Sequence, residues 1–139
     1  VIVGDEPVNY SISIKEMKES ENKTKIASLY HGYYPSEDIA GARWIKYHYS
    51  NNMTIHSGTS SNRVLYGYGR KPNFKIINEN LSEIDQGDLI YVREFNINHN
   101  FITYRRRPYY RYYDLNNSID FQEKNKIYAN GNCTIYASN

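Results

Sequence analysis

The chain has 139 residues, a mass of 16.4 kDa and a formal net charge of +2. That length suits one domain spanning residues 1–139, and so small a charge excludes histone-like global basicity but not a local basic patch. No apolar run reaches the roughly 18 residues of a membrane-spanning helix, and the single cysteine, Cys133, excludes an intramolecular disulfide or a cysteine-based zinc finger.

Along the chain, strand signals dominate. Residues 8–17 alternate, with Tyr10, Ile12 and Ile14 against Ser11 and Ser13, and predict a strand closed by a polar turn at 19–22. A returning strand is expected over 24–31 and a loop over 33–38. Residues 42–49 alternate again, Ile45, Tyr47 and Tyr49 against Trp44, Lys46 and His48, before a tight turn at 50–52 and a strand at 53–56. After a polar loop at 57–62, residues 63–68 read as a strand ending at Gly67 and Gly69, and 74–78 as a short extended piece. Residues 80–88 hold one helical turn, marked by Leu81 and Ile84 and ended by Gln86-Gly87-Asp88.

The strongest strand signal covers 89–97. A turn at 98–100 returns the chain through 101–107, where Pro108 limits further pairing. Residues 109–113 read as an edge strand, 114–118 as a turn and 119–122 as extended. Strands at 126–128 and 133–136 flank Asn130-Gly131, the best short-range hairpin signal in the chain. About nine short strands and no long amphipathic helix predict an all-β antiparallel sandwich of jelly-roll type, with a β-trefoil as the alternative.

Composition adds two anomalies, 16 tyrosines and 17 asparagines. AT-rich codons account for Asn and Ile but not for Tyr, because Phe has equally AT-rich codons and appears 4 times. Tyrosine packs like a large hydrophobe while its hydroxyl seeks a polar partner, which suits a half-wet core or a binding surface. Asn-X-Ser/Thr acceptors occur at Asn9, Asn22, Asn52, Asn80, Asn116 and Asn132, against roughly two expected by chance. Together with a start at Val1 rather than Met, they predict a secreted, N-glycosylated, extracellular protein. Cys133, inside the Asn132 acceptor, reads as a buried thiol, with an intermolecular bridge as the other option.

The most distinctive stretch is residues 104–113. In an extended chain Arg105, Arg107, Tyr109, Arg111 and Tyr113 share one face. Guanidinium forks match sulfate, phosphate or carboxylate oxygens, and tyrosine rings stack on sugars or bases. The bland counterpart is a solvated edge strand, with Glu94 expected across the hairpin from Arg105. An anionic glycan or an acidic protein surface is the expected partner. The small net charge and the secretory signals argue against nucleic acid, despite the interleaved basic and aromatic residues.

A second aromatic group comprises His31, Tyr33, Tyr34, Trp44, Tyr47 and Tyr49, in which Trp44 reads as a core plug rather than a sugar platform. His48 and His56 lie symmetrically about the Asn51-Asn52 turn, and two histidines without a third ligand make a poor metal site. The carboxylate pairs Glu37–Asp38 and Asp85–Asp88 lack the full spacing of a calcium loop. No Gly-X-Ser-X-Gly elbow is present, so a catalytic role finds little support and no cofactor is implied. The expected function is a binding module that uses the Arg/Tyr strand. The alternative is a self-assembling structural protein whose tyrosine-rich faces pack against identical copies.

Overall fold

The computed structural model describes residues 16, 18–19, 21–49, 52–70, 73–77, 84–105, 108–115 and 124–138. In chain order, helices α1 (Lys23–Gly32) and α2 (Ser36–His48) precede strand β1 (Ile55–Ser57). A 3-10 turn (Thr59–Ser61), the one-turn helix α3 (Asn62–Val64) and a π-helical turn (Leu65–Gly69) lead to β2 (Phe74–Ile76). Then come β3 (Leu89–Val92), α4 (Glu94–His99), β4 (Phe101–Arg105), β5 (Arg111–Asp114), β6 (Asn125–Ala129) and β7 (Thr134–Ala137).

Two segments expected as strands are helices, and local chemistry explains both. The Asn22 side chain accepts from the backbone N–H groups of Thr24 and Lys25 at 3.0 and 3.2 Å, which caps α1. The buried residues Ile26, Ala27, Leu29 and Tyr30 then form one helical stripe. In α2, Pro35 sets the entry, Glu37 and Asp38 occupy the positive N-terminal end, and Lys46 and His48 the negative C-terminal end. Asp38, Gly41, Ala42 and Ile45 are buried at i, i+3, i+4 and i+7. The alternation that suggested a strand over 42–49 was carried by Tyr47, which is 73% exposed.

Seven strands form two sheets among the described residues. The larger sheet has the order β2-β1-β3-β7-β6. Its β1 pairs in parallel with both β2 and β3, while β3–β7 and β7–β6 are antiparallel. Parallel neighbours need a crossover, and the 3-10, α3 and π-helical turns lie on the one from β1 to β2. The smaller sheet is the β4–β5 hairpin.

Strand β3 is the centre of the fold. Leu89 and Tyr91 face the cluster of Ala42, Ile45, Ile55, Val64, Leu65, Cys133 and Ile135. Ile90 and Val92 face Ile77, Ile102 and Leu115. Helix α2 therefore covers one face of the large sheet, and the β4–β5 hairpin covers the other. A third cluster joins α1 to α4 and β4 through Ile26, Leu29, Tyr30, Phe95 and Phe101.

The architecture is thus mixed helix and strand, not closed into a barrel, which corrects the expectation of an all-β antiparallel jelly roll and of its β-trefoil alternative. Apolar residues over 24–31 and 42–49 fit both a two-residue and a 3.6-residue period, and the end signals decide for helix. Residues 63–68 are helical turns, and the expected strand over 89–97 stops at Val92, where α4 begins. The strands near 53–56, 74–78 and 101–107 stand close to their expected places, as does the hairpin around Gly131, whose φ of 96° suits glycine. The expected strand over 8–17, apart from Glu16, and the extended piece over 119–122 lie outside the described residues.

Candidate functional site

The β4–β5 hairpin gathers the arginine–tyrosine residues at its loop end. Arg105 and Arg111 are cross-strand partners flanking the loop, and both are exposed. The Arg111 guanidinium lies 5.4 Å from the Tyr109 ring centroid and donates to the Tyr109 hydroxyl at 3.1 Å. The hydrogen bond to Tyr109, more than any other contact, holds the Arg111 guanidinium above its ordinary value, so its charge is permanent. Tyr109 itself is 60% exposed. Cross-strand pairing thus brings two cationic residues to one end of the hairpin, a placement that suits an anionic ligand.

The strip does not run the whole length expected. The register shifts between Thr103 and Arg105, and such a bulge breaks strict alternation. Tyr113 is half-buried, packs against the Ile90–Ile102 cluster and stacks on Tyr104 at 5.5 Å. It anchors the hairpin to the large sheet. Arg107 lies outside the described residues. Glu94 is not opposite Arg105; it opens α4 and accepts from the Tyr30 hydroxyl at 3.0 Å.

The other singled-out residues scatter. His48 and His56 do not face each other: the first closes α2 with its Nδ1 2.9 Å from the Trp44 carbonyl, and the second lies on β1. Trp44 stacks on His48 at 4.7 Å and on Tyr128 at 5.1 Å, with Tyr49 at 5.3 Å. Its rings of neighbours leave it a packing residue at the edge of the core rather than a sugar platform. Of the glycosylation acceptors, Asn22 is the α1 cap and Asn52 lies exposed in a turn. The Asn132 carboxamide donates to Glu37 at 3.2 Å. Asn9, Asn80 and Asn116 lie outside the described residues.

One buried ion pair and one part-buried histidine–aspartate pair escaped the sequence reading. The Arg93 guanidinium and the Asp38 carboxylate, both 0% exposed, meet at 2.8 Å. Arg93 also donates to the carbonyls of Tyr30, Ser60 and Tyr33 at 2.7, 2.8 and 2.8 Å. Rings of Tyr30, Tyr34 and Phe95 surround it at 5.4–5.7 Å. The second Asp38 oxygen accepts from the Glu94 backbone at 2.9 Å. Burial pushes the Asp38 carboxyl up, and the Arg93 charge pulls it back. One side chain thus ties α1, α2, the 3-10 turn, β3 and α4 together. The signal was present as an arginine directly after the apolar run Leu89-Ile90-Tyr91-Val92.

The second pair joins His56 Nε2 to Asp88 Oδ2 at 2.8 Å. Asp88 also accepts from the Asp85 backbone at 3.3 Å, within the turn where Gly87 has a φ of 90°. A histidine oriented by a carboxylate resembles part of a nucleophile-activating relay. Among the described residues no serine, threonine or cysteine hydrogen-bonds to His56. The Ser57 hydroxyl instead donates to the Tyr91 carbonyl at 2.6 Å. The pair joins β1 to the turn before β3.

No group of three potential metal-ligating side chains occurs among the described residues. Neither a curated protein nor a solved structure matches the chain. No helix among the described residues is long and apolar enough to cross a membrane. A family model does match, over residues 1–136, and it is described as DUF2206, a predicted membrane protein. That description overturns the expectation of a secreted, extracellular protein. A sequon is only a three-residue acceptor pattern, which a chain with 17 asparagines offers often, and it carries no address. With 136 of its 139 residues matched, the chain belongs to the DUF2206 family.

Proposed function

We propose that this chain is a binding domain of a membrane protein and that it recognises an anionic glycan through the loop end of the β4–β5 hairpin. Arg105 and Arg111 supply two exposed cations at paired positions, and Tyr109 supplies an exposed ring beside Arg111. The observation that carries the reading is the cross-strand pairing of two exposed arginines, one of them braced by a tyrosine. Guanidinium forks suit sulfate or carboxylate oxygens, and a tyrosine ring suits the apolar face of a sugar.

The buried Arg93–Asp38 pair serves this reading indirectly. It fixes α4, and α4 leads through Asn100, at a φ of 57°, directly into β4. The Asn96 carboxamide adds to that joint by accepting from the Arg93 backbone at 3.0 Å and donating to the Phe101 carbonyl at 3.0 Å. The hairpin therefore stands on a rigid base, as a recognition element should.

The test is retention of the 139-residue chain on an immobilised sulfated glycan at low salt. Wild type is expected to be retained and to elute as salt rises. The Arg105→Ser/Arg111→Ser variant is expected to flow through. Equal retention of the variant and wild type, or no retention of wild type, refutes the reading. Retention on an acidic protein instead of the glycan would move the assignment to a protein partner.

A further inference from the structure

We infer that the face made by α2 and the π-helical turn is a docking surface for an anionic membrane. Its residues are separate from the hairpin, and so is the test of it. The basic residues are Arg43 and Lys46 on α2, with Arg63 and Arg70 around the turn. Segments 39–49 and 62–70, which supply this face, contain four Lys or Arg residues and no carboxylate. In a chain of net charge +2 that is a strong local excess.

Geometry holds the two segments together as one surface. Arg43 lies 5.5 Å from the centroid of the Tyr68 ring, across the junction. The backbones come close enough that a Cβ on Gly69 would lie 3.3 Å from the Ala42 carbonyl oxygen. Lys46 sits 4.9 Å from the centre of the Tyr47 ring. Arg43, Lys46 and Tyr47 stand at i, i+3 and i+4 and so share a face of the helix.

The aromatic residues of this face suit an interface. Tyr47 is 73% exposed and Tyr66 is 50% exposed. Tyrosine is enriched at the headgroup level of bilayers, where its ring meets the acyl boundary and its hydroxyl stays wet. Basic residues beside it are drawn to anionic headgroups. The two acidic residues at the start of α2 do not cancel this charge. Asp38 is buried against Arg93. The charged Glu37 carboxylate is held at the first turn of α2 against Asn132 of the β6–β7 turn, roughly two and a half turns from Lys46 along the helix and on a different side of it from Arg43. The family's description as a membrane protein puts a bilayer within reach of this domain. Charge complementarity then selects the bilayer surface as the occupant.

The experiment is flotation of the 139-residue chain with vesicles of mixed phosphatidylglycerol and phosphatidylcholine, compared with phosphatidylcholine alone. Wild type is expected to float with the anionic vesicles only, and less so at high salt. Each cation removed is expected to lower partitioning about fivefold, and Arg43→Gln, Lys46→Gln and Arg70→Asn together about 100-fold. Asn is chosen at position 70 because Arg70 has a φ of 48°, a region Asn tolerates. If that triple variant fails to fold by circular dichroism, Lys46→Gln/Tyr47→Ser carries the test, with an expected loss of at least fivefold. The Arg105→Ser/Arg111→Ser variant is expected to float like wild type. Failure of wild type to float overturns the inference, as does equal binding to neutral vesicles. So does a folded α2 variant that still floats fully, or a hairpin variant that does not.

Discussion

Replacing Arg93 by methionine keeps most of the stem and removes the guanidinium. Asp38 is then left charged at 0% exposure, and the carbonyls of Tyr30, Tyr33 and Ser60 each lose a donor. Removing one partner of a buried ion pair costs about 3–5 kcal/mol. Orphaned carbonyls push the loss to the upper end, about 5 kcal/mol, against a total stability of roughly 5–15 kcal/mol for a domain. At roughly 3 °C per kcal/mol, the melting temperature falls by about 15 °C. Urea titration followed by the fluorescence of Trp44, the single tryptophan, reads the loss directly. The sign of its pH dependence is fixed as well. Without Arg93 only the Glu94 backbone hydrogen bond opposes the burial that pushes the Asp38 carboxyl up, so the folded state takes a proton at higher pH than the unfolded chain. The deficit of the Arg93→Met variant should therefore shrink as pH is lowered from neutral toward the carboxylate range. Adding Asp38→Leu removes the stranded charge, and the double variant should lose less than the two single losses combined. A loss below about 1 kcal/mol for Arg93→Met, or strict additivity in the pair, refutes the keystone role.

Two further predictions concern Gly41, on the same buried face of α2 as Asp38, and Cys133 packed against it. A Cβ on Gly41 would lie 2.5 Å from the Cys133 sulfur and 3.2 Å from the Tyr91 ring. Gly41→Ala should cost about 1–3 kcal/mol by overpacking, and Cys133→Ala should restore much of it by removing the nearest obstacle; a destabilisation that Cys133→Ala leaves unchanged would show that the clash lies elsewhere. Burial pushes the Cys133 thiol up, so in the folded protein it should resist a thiol reagent at mildly alkaline pH and react only on unfolding. The Glu37 carboxyl is held below its ordinary value by backbone and Asn132 hydrogen bonds. Its contribution to stability is present above the usual carboxylate pKa and fades as pH falls through the lowered one, so an NMR titration should find its inflection below the ordinary glutamate value, and Asn132→Ala should raise it.

How much of this was legible in the sequence depended on the range of the interactions involved. The Asn130-Gly131 hairpin was readable because the turn is written in two adjacent residues. Strands β3 and β4 were readable as apolar runs. Helices α1 and α2 were missed because their buried faces were read with a two-residue period, although the cap at Asn22 and the Glu37-Asp38 to Lys46–His48 charge gradient were there to be seen. The register of the arginine–tyrosine strip failed at the bulge next to Arg105, which no local pattern marks. The parallel pairing of β1 with β2 and β3 is a product of packing and has no short-range signature. Arg93 and Asp38 are 55 residues apart, and only the closed fold makes them partners.

The distribution of charge follows from the same topology. Leu89 and Tyr91 turn toward α2, and Ile90 and Val92 toward the β4–β5 hairpin, so those two elements lie on opposite faces of one sheet. The cations of α2 and its neighbouring turn thus stand on one side of the domain, and Arg105 with Arg111 on the other. Between them sits Arg93, whose charge is consumed by Asp38 and adds to neither surface. A net charge of +2 conceals this separation, because the total is silent about where opposite charges cancel. If α2 rests on a bilayer, the hairpin is carried on the face turned away from it, free to meet a ligand. The arrangement makes a joint prediction that neither surface makes alone. The chain bound to anionic vesicles should still capture the sulfated glycan, and the glycan should not displace it from them. Competition between glycan and vesicle for the same molecules would show that both use one surface, and would refute the two-sided arrangement.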